Sequence, residues 1–237
     1  MSDLERLLEV QEHDTAIDRL RHQRARLPER ADLVALLKRG AELDARLAGT
    51  RARLQAVEER QATSESDAGL IAQRIREIEK RMYSGEVSAT RDLLAMTAEI
   101  AALKDRCSSV EDEALAAMEE AEPLAEAIAA MEGEKSAMAF EADGLRSAIA
   151  AAEAEIDAQV LAEEERRREA AGQVPADLLQ TYEKLRSGLG GIGAARLVGT
   201  SCSGCHLTLP ASELARLKRE PPGALILCDQ CGRILVR

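Results

Sequence analysis

The sequence predicts a mainly α protein, a long antiparallel coiled-coil helical hairpin followed by a small β-rich module at the C-terminus. Aromatic residues make up only 1% of the chain although 46% is hydrophobic, so the apolar side chains are mostly Ala and Leu. Apolar residues recur with heptad spacing over two long stretches, and four cysteines fall in two C-x-x-C pairs near the end. Such a chain buries its apolar residues along a helical seam rather than in a large compact core.

Composition and charge argue against several classes of protein. The 237 residues include 32% charged side chains and carry a formal net charge of −11. An acidic chain disfavours broad contact with phosphates, which requires clustered Lys and Arg. The N-terminal segment MSDLERLLEVQEHD lacks the pattern of a secretory signal, and no stretch approaches the ~18 apolar residues of a membrane span. We therefore expect a cytoplasmic protein without a membrane partner, in which thiols stay reduced.

Two heptad seams organise most of the chain. In residues 43–82, alternate steps of four and three land mostly on apolar side chains, while Arg, Glu, Gln and Asp fill the positions between them. Upstream, residues 4–34 continue the pattern less regularly, and Pro28 is expected to kink or restart the helix there. A second seam covers residues 96–156, with another kink expected at Pro123. Two seams of similar length predict two antiparallel arms, each of about 80 residues and roughly 120 Å.

The interruption between the seams predicts the tip of the hairpin, near residues 83–90. Its sequence, RMYSGEVSATRDLLAMTAEI, contains the turn signal Ser84-Gly85. The sides of a long two-helix hairpin are repetitive, and the tip is one of the few surfaces that differ from them. The candidate contacts for a partner at the tip are Tyr83, Ser84, Gly85 and Arg91. The alternative is that the segment is simply a hairpin turn, and the sequence alone favours that interpretation.

The predicted domains are a hairpin at 1–187, a Gly-rich linker at 188–195 and a C-terminal module at 196–237. The glycines that match the pattern G-x-G-x-x-G are Gly188, Gly190 and Gly193. A dinucleotide site with this pattern requires a strand before it and a helix after it, because a helix N-terminus binds the phosphates. Here a helix-forming sequence precedes and the β-like ARLVG follows. We therefore interpret the glycines as a flexible joint.

The C-terminal module contains the strongest motif of the sequence. Cys202 and Cys205 form one C-x-x-C pair, Cys228 and Cys231 form the other, and 22 residues separate them. Four thiolates in two such pairs are what a tetrahedral Zn²⁺ requires, because each pair forms a tight turn whose sulfurs can reach one ion. HLTL, GALIL and RILVR read as strands, and PASELARLK reads as a short helical turn. The motif predicts a C4 zinc ribbon with one structural zinc ion.

Other interpretations of the cysteines fit less well. Disulfides are not expected without export. A rubredoxin-like iron site uses similar spacing, but we expect aromatic packing around it, and none is present here. A catalytic zinc keeps an open coordination position, which four cysteines would fill. His206 is a competing fifth ligand candidate, although a surface position suits it better. Cys107 lies on the second seam and is expected to be a small buried core residue.

The module differs in charge from the rest of the chain. Residues 196–237 carry six basic and three acidic side chains, a formal charge of +3 in a chain of −11. The candidate residues for nucleic-acid or partner binding are Arg216, Lys218, Arg219 and Arg233. A zinc ion bound by four thiolates would lower the local charge by about two. The module also has no Phe, Tyr or Trp on which bases could stack, so contact with RNA or DNA would be phosphate-led and weakly specific.

Three segments give the chain a resemblance to a known family. They are MYSGEVSATRDLLAMTAEI at the tip, VPADLLQTYEKLR before the glycines, and CSGCHLTLP with LILCDQCGRILVR at the end. In these the chain resembles the bacterial coiled-coil proteins with a C-terminal C4-type zinc ribbon, often described as nucleic-acid-binding zinc-ribbon proteins. The resemblance covers nearly the whole chain and implies that the four ribbon cysteines are zinc ligands. At 89–93 the family has an Asn-Pro-Lys-Glu-Leu-like run, whereas this chain reads ATRDL and lacks the proline.

Two functions are compatible with these features. The first is a non-enzymatic adapter or regulatory protein, in which the arms act as a spacer while the tip and ribbon contact protein partners. The second is nucleic-acid binding through the basic zinc ribbon. The resemblance implies partners in RNA, transcription or secretion machinery without choosing among them. An enzyme is not expected, because the sequence offers no catalytic Ser-His-Asp or Cys-His arrangement and no phosphate loop. Whether the hairpin closes within one chain or between two copies stays open.

Overall fold

The computed structural model describes residues 2–221 and 223–237, which form five α-helices and three short β-strands. The helices are α1 (Asp3–Ala25), α2 (Pro28–Tyr83), α3 (Thr90–Ala171), α4 (Ala176–Gly188) and α5 (Ala211–Arg219). The strands are β1 (Ala194–Val198), β2 (Ser201–Cys202) and β3 (Ile234–Val236). Two compact units result: one is Leu33–Gly144, and the other joins the chain up to Asp32 with Leu145–Arg237. The predicted class, a helical hairpin with a small C-terminal β-region, is confirmed.

The unit Leu33–Gly144 is an antiparallel hairpin of α2 and α3. Val57 packs with Ala117 and Leu124, and nearer the tip Ile75 packs with Ile100. These residues are buried because heptad spacing keeps them on one side of each helix. The seam therefore closes within one chain, between the two stretches that the sequence indicated. Despite their length, neither α2 nor α3 nor any other described helix is apolar enough to cross a membrane.

Pro28 and Pro123 occupy different positions in their helices. Pro28 is the first residue of α2, where a missing N–H and a fixed φ suit the start of a helix. It separates α2 from α1, which ends at Ala25, so the predicted restart is confirmed. Pro123 lies inside α3, and this helix continues on both sides of it.

The helices α1 and α4 pack on the strands, and α1 also runs alongside α3, where His13 pairs with Glu163 and Arg24 pairs with Asp157. Their shared core contains Leu4, Leu7, Leu8, Val10, Ala170, Val174, Tyr182, Ala194, Ile234 and Val236. The sequence-based division placed 1–187 in the hairpin. Within that range, the apolar faces of α1 and α4 also pack on one side of the sheet. We call α1, α4 and residues 145–171 of α3 the base.

A small sheet joins the base to the cysteine-rich module. Its strand order is β2-β1-β3, with β1 antiparallel to β2 and parallel to β3. Ala194 and Ile234 face the base, whereas their neighbours Ala195 and Leu235 face a second core that contains Cys202. Successive side chains of a strand point to opposite faces, so the same two strands serve both cores.

The ribbon contains less strand than the sequence suggested. The helix predicted in PASELARLK is α5, the strand predicted in RILVR is β3, and ARLVG contains most of β1. The segments HLTL and GALIL, in contrast, contribute only the isolated bridges Ser201–Thr208 and Leu227–Ile234. The tight turns at the cysteines leave these segments too short for longer ladders.

The Gly-rich segment is packed rather than free. A Cβ on Gly193 would lie 2.8 Å from both Cδ2 and the carbonyl oxygen of Tyr182. The N–H of Gly193 donates to Oε1 of Gln11 at 2.7 Å, and the following Ala194 is buried. The interpretation of 188–195 as a flexible linker therefore changes. Gly193 is needed for close approach of the chain to α4, and not for freedom of motion.

Candidate functional site

The four ribbon cysteines converge on one point. The sulfurs of Cys202, Cys205, Cys228 and Cys231 all lie within 4.8 Å of one another, and Cys202 and Cys231 are 3.9 Å apart. Ligands at the usual Zn–S distance of about 2.3 Å are roughly 3.8 Å apart in a tetrahedron. The arrangement thus fits one zinc ion whose four positions are all taken by protein. The fifth cysteine, Cys107, is half-buried in the hairpin.

Each cysteine pair sits in the same kind of turn. The N–H of His206 donates to the carbonyl of Cys202 at 2.8 Å, and the N–H of Gly232 donates to that of Cys228 at 2.7 Å. His206 and Gly232 have φ angles of +60° and +73°, in the left-handed region. His206 is exposed and not part of the cysteine cluster. Its position is explained by the backbone of the turn, and it is not a fifth ligand.

The thiols of the site differ in acidity. Burial raises the pKa of Cys202, and burial raises that of Cys228 to about 12. Burial also acts to raise the pKa of Cys231, but hydrogen bonds from the backbone and side chain of Arg233 outweigh it and lower that pKa to about 7. Zinc binds the thiolate. Of Cys202, Cys228 and Cys231, the last is therefore the thiol that loses its proton most readily to a metal at neutral pH.

Arg233 links the metal centre to the segment that follows α4. Its Nε donates to the carbonyl of Ile192 and its Nη2 to that of Leu189, both at 3.0 Å. The side chain also fills the space beside Gly204, where a Cβ would lie 2.6 Å from Cδ of Arg233. Arg233 was predicted as a candidate surface contact, but its guanidinium is used within the molecule.

The other three basic candidates lie on α5 and differ from one another. Arg216 is paired with Asp229, 3.1 Å away, beside the second cysteine turn. Lys218 and Arg219 are exposed, and neither forms an ion pair with any residue in the described part of the chain. Two of the four predicted residues, Lys218 and Arg219, therefore keep their charged groups exposed at the surface.

The tip lies between the end of α2 at Tyr83 and the start of α3 at Thr90. Tyr83 is 81% exposed, and Leu94, which sequence analysis did not select, is 67% exposed. Ser84 uses its hydroxyl locally, donating to the carbonyl of Arg81 at 2.9 Å, and Gly85 has a φ of +80°. The turn thus explains Ser84 and Gly85. Tyr83 and the exposed Arg91 have no such structural role.

A buried polar cluster of the base escaped sequence analysis. Gln11 and Asp14 are 6% and 4% exposed, on the same face of α1 as its buried leucines. Gln11 binds the backbone of Gly193, and Asp14 accepts hydrogen bonds from Tyr182 and Arg167. The available signal was two polar residues at helical spacing within an apolar stripe.

The fold and the metal centre define a coiled-coil hairpin protein with a C4-type zinc ribbon. The chain belongs to the family of the CT398-like coiled coil hairpin domain, whose model matches residues 10–190. A C4-type zinc ribbon domain matches residues 201–235. The predicted family and metal are confirmed, and the four clustered cysteines form a site that can bind one zinc ion.

The similarity to known proteins extends over nearly the whole chain. The uncharacterized protein Rv2229c of Mycobacterium tuberculosis is 27% identical over 231 residues, which cover 98% of this chain and 94% of that protein. A solved structure from Mycobacterium smegmatis has a TM-score of 0.90 and 25% identity, with 100% of both chains covered. CT398 from Chlamydia trachomatis has a TM-score of 0.71 and 17% identity, covering 98% of this chain and 96% of that one. The likeness to CT398 is one of fold.

Proposed function

We propose that this chain is a non-enzymatic adapter or regulatory protein that binds protein partners through the tip of its hairpin. The observation that carries the proposal is the exposure of Tyr83 and Leu94, at 81% and 67%, on either side of the tip. Neither side chain contributes to the hairpin seam. Large apolar side chains gain about 1.5–3 kcal/mol when they leave water, and Tyr is enriched among residues that dominate interfaces.

The zinc ribbon has a supporting role in this proposal. Bound zinc would cross-link the two cysteine turns and so stabilise a module whose apolar core is small. The cysteines hold the metal, and β1 and β3 attach the module to the base through Ala194 and Ile234. The ribbon thereby presents α5 and its exposed cations as a second contact surface.

The test is photo-crosslinking with mass spectrometry in lysate of the source cells, with and without nuclease. We compare the wild type, Tyr83→Ser/Leu94→Ser, and Leu161→Ser, which removes a side chain with the same 67% exposure elsewhere on α3. Protein crosslinks that survive nuclease, disappear in the tip variant and persist in Leu161→Ser are expected. Equal recovery with all three chains would rule out the tip as the contact.

Nucleic-acid binding is the second candidate, favoured by the exposure of Lys218 and Arg219. Two phosphate contacts give a slope of about −0.9 per contact in a plot of log affinity against log salt. Lys218→Glu/Arg219→Glu should then abolish binding of an RNA or DNA oligonucleotide. The matched control is Lys38→Glu/Arg39→Glu, an adjacent exposed Lys-Arg pair on α2. Equal loss with both variants would indicate only a general effect of net charge.

A further inference from the structure

A groove on one side of the hairpin is apolar and has no partner within the described chain. It has a volume of about 530 Å³ and is lined mainly by small or apolar side chains. Gly69 and Ala72 contribute from α2, and Leu115 and Met118 contribute from α3. Leu115 is 56% exposed and Met118 is 49% exposed, although the buried seam residue Ala114 lines the same groove. We call this surface the acidic groove, for the charges that surround it.

The shape of the groove suits a helix. A Cβ on Gly69 would meet nothing within 4 Å, so there is open space above the backbone of α2 at this position. Small residues let a neighbouring helix approach to the 8–10 Å or so that packed helices adopt. Leu115 and Met118 are three residues apart on α3 and form one ridge beside that space. Methionine adapts to the shape of a partner because its side chain is unbranched and polarisable.

The charge around the groove is predominantly negative. Residues 107–122 of α3 contain six carboxylates and no basic residue, and residues 58–72 of α2 contain four carboxylates and one arginine. That arginine, Arg60, pairs with Glu120. The two carboxylates that line the groove, Glu65 and Glu111, form no ion pair with any residue that the structure describes. Like charges so close together oppose the folded hairpin, and a cationic partner would relieve this repulsion.

We propose that the acidic groove binds a basic amphipathic helix of a protein partner. This inference rests on the proposed adapter function and names the chemistry of one partner. The apolar face of the helix would cover Leu115 and Met118, and its Lys or Arg side chains would meet Glu65 and Glu111. An extended strand does not fit, because the backbone groups of α2 and α3 are paired within the helices. A second copy in a two-fold arrangement would set one acidic groove against another.

The experiment measures binding of a synthetic Leu/Lys amphipathic helical peptide to the full chain by fluorescence anisotropy. A Leu/Glu peptide of the same pattern is the control ligand. Leu115→Gln/Met118→Gln should weaken the Leu/Lys peptide roughly tenfold or more, as expected for central interface residues. Phe140→Gln, which alters a side chain that is 84% exposed on the same helix, should leave affinity unchanged. No binding, or equal binding by the wild type and both variants, would overturn the proposal.

Two further readouts complete the test. Glu65→Gln/Glu111→Gln should weaken the peptide and flatten its salt dependence, and hydrogen exchange should slow at 65–72 and 111–118 in the complex. Sedimentation equilibrium of the chain alone addresses the second-copy alternative. A dimer that Leu115→Gln/Met118→Gln dissociates would overturn the inference. If the groove variants keep their crosslinked partners while Tyr83→Ser/Leu94→Ser loses them, the adapter function stands and the groove inference fails.

Discussion

The hydroxyl of Tyr182 donates a 2.7 Å hydrogen bond to Oδ2 of Asp14, and both side chains are buried although 168 positions separate them in sequence. Asp14 also accepts from Nε of Arg167 at 2.8 Å, and Nε of Arg186 lies 3.4 Å from its Oδ2. A buried carboxylate is tolerated when such partners compensate its loss of water. This cluster ties α1 to α3 and α4, and so holds together the base on which the ribbon rests.

Removing the hydroxyl of Tyr182 should loosen the base. Tyr182→Phe keeps the ring in the core but leaves a lone pair of Asp14 unsatisfied, which costs about 1–3 kcal/mol for a buried group. We expect faster hydrogen exchange in 176–195, corresponding to that loss of local stability. Tyr83→Phe is the control, because Tyr83 is exposed and its hydroxyl bonds to none of the described residues. An unchanged exchange rate in Tyr182→Phe would show that the cluster does not stabilise the base.

The same residue should make the base sensitive to alkaline pH. Burial, reinforced by the hydrogen bond to Asp14, raises the pKa of Tyr182 far above the ordinary value of about 10. The protonated phenol is thus favoured by folding. The stability that this raised pKa contributes to the folded state is fully present below pH of about 10. It is lost as the pH rises above that value, because only the unfolded chain then releases the proton. Urea midpoints followed across this range should fall more steeply for the wild type than for Tyr182→Phe, and parallel curves would contradict the assignment.

A methyl group at Gly193 should disrupt the contact between β1 and α4. In Gly193→Ala the new Cβ meets the backbone and ring of Tyr182 at 2.8 Å. Overpacking of this kind costs about 1–3 kcal/mol. Gly188→Ala, in the same segment, adds its methyl group to open space and should be neutral. Thermal unfolding and hydrogen exchange at 193–196 compare the two variants, and equal stability would restore the flexible-linker interpretation.

Zinc removal should unfold the ribbon and spare the hairpin. The second core consists of few residues and includes Cys202 and Cys228, so loss of the metal removes its main cross-link. Chelation, or Cys228→Ser/Cys231→Ser, should abolish hydrogen-exchange protection in 201–235. Protection in the α2–α3 seam should persist, because Val57 and Ala117 pack independently of the metal. Full protection of the ribbon after verified zinc loss would mean that its apolar core suffices.

The two cysteine turns should respond oppositely to changes at their left-handed positions. Gly232→Ala places a Cβ at a φ of +73°, which costs about 1–2 kcal/mol, although no atom lies within 4 Å of it. His206→Gly relieves the same strain at a φ of +60° and should preserve or increase stability. Competition with a zinc chelator gives the affinity of each variant. Weaker zinc binding in His206→Gly would show that the imidazole itself supports the metal.

The hairpin and the zinc ligands could be predicted from the sequence, because each follows from a pattern with a fixed local geometry. Seam residues such as Val57 and Ile75 are identifiable because heptad spacing fixes which side of a helix is buried. Cys202 and Cys231 are identifiable because metal chemistry dictates their spacing. Arg233 was misjudged, since a charged residue in a basic module resembles a surface contact until its carbonyl partners at Leu189 and Ile192 are known.

By itself the sequence determined the helical arms, their seam, the tip and the four-cysteine metal site, because each depends on periodicity or spacing within a short segment. Only the tertiary structure decided that α1 and α4 pack on β1 and β3. It also decided that Gly193 is a packing residue, that Asp14 is buried beside Tyr182, and that the acidic groove is open. These features depend on contacts between residues distant in sequence, for which one chain carries no periodic signal.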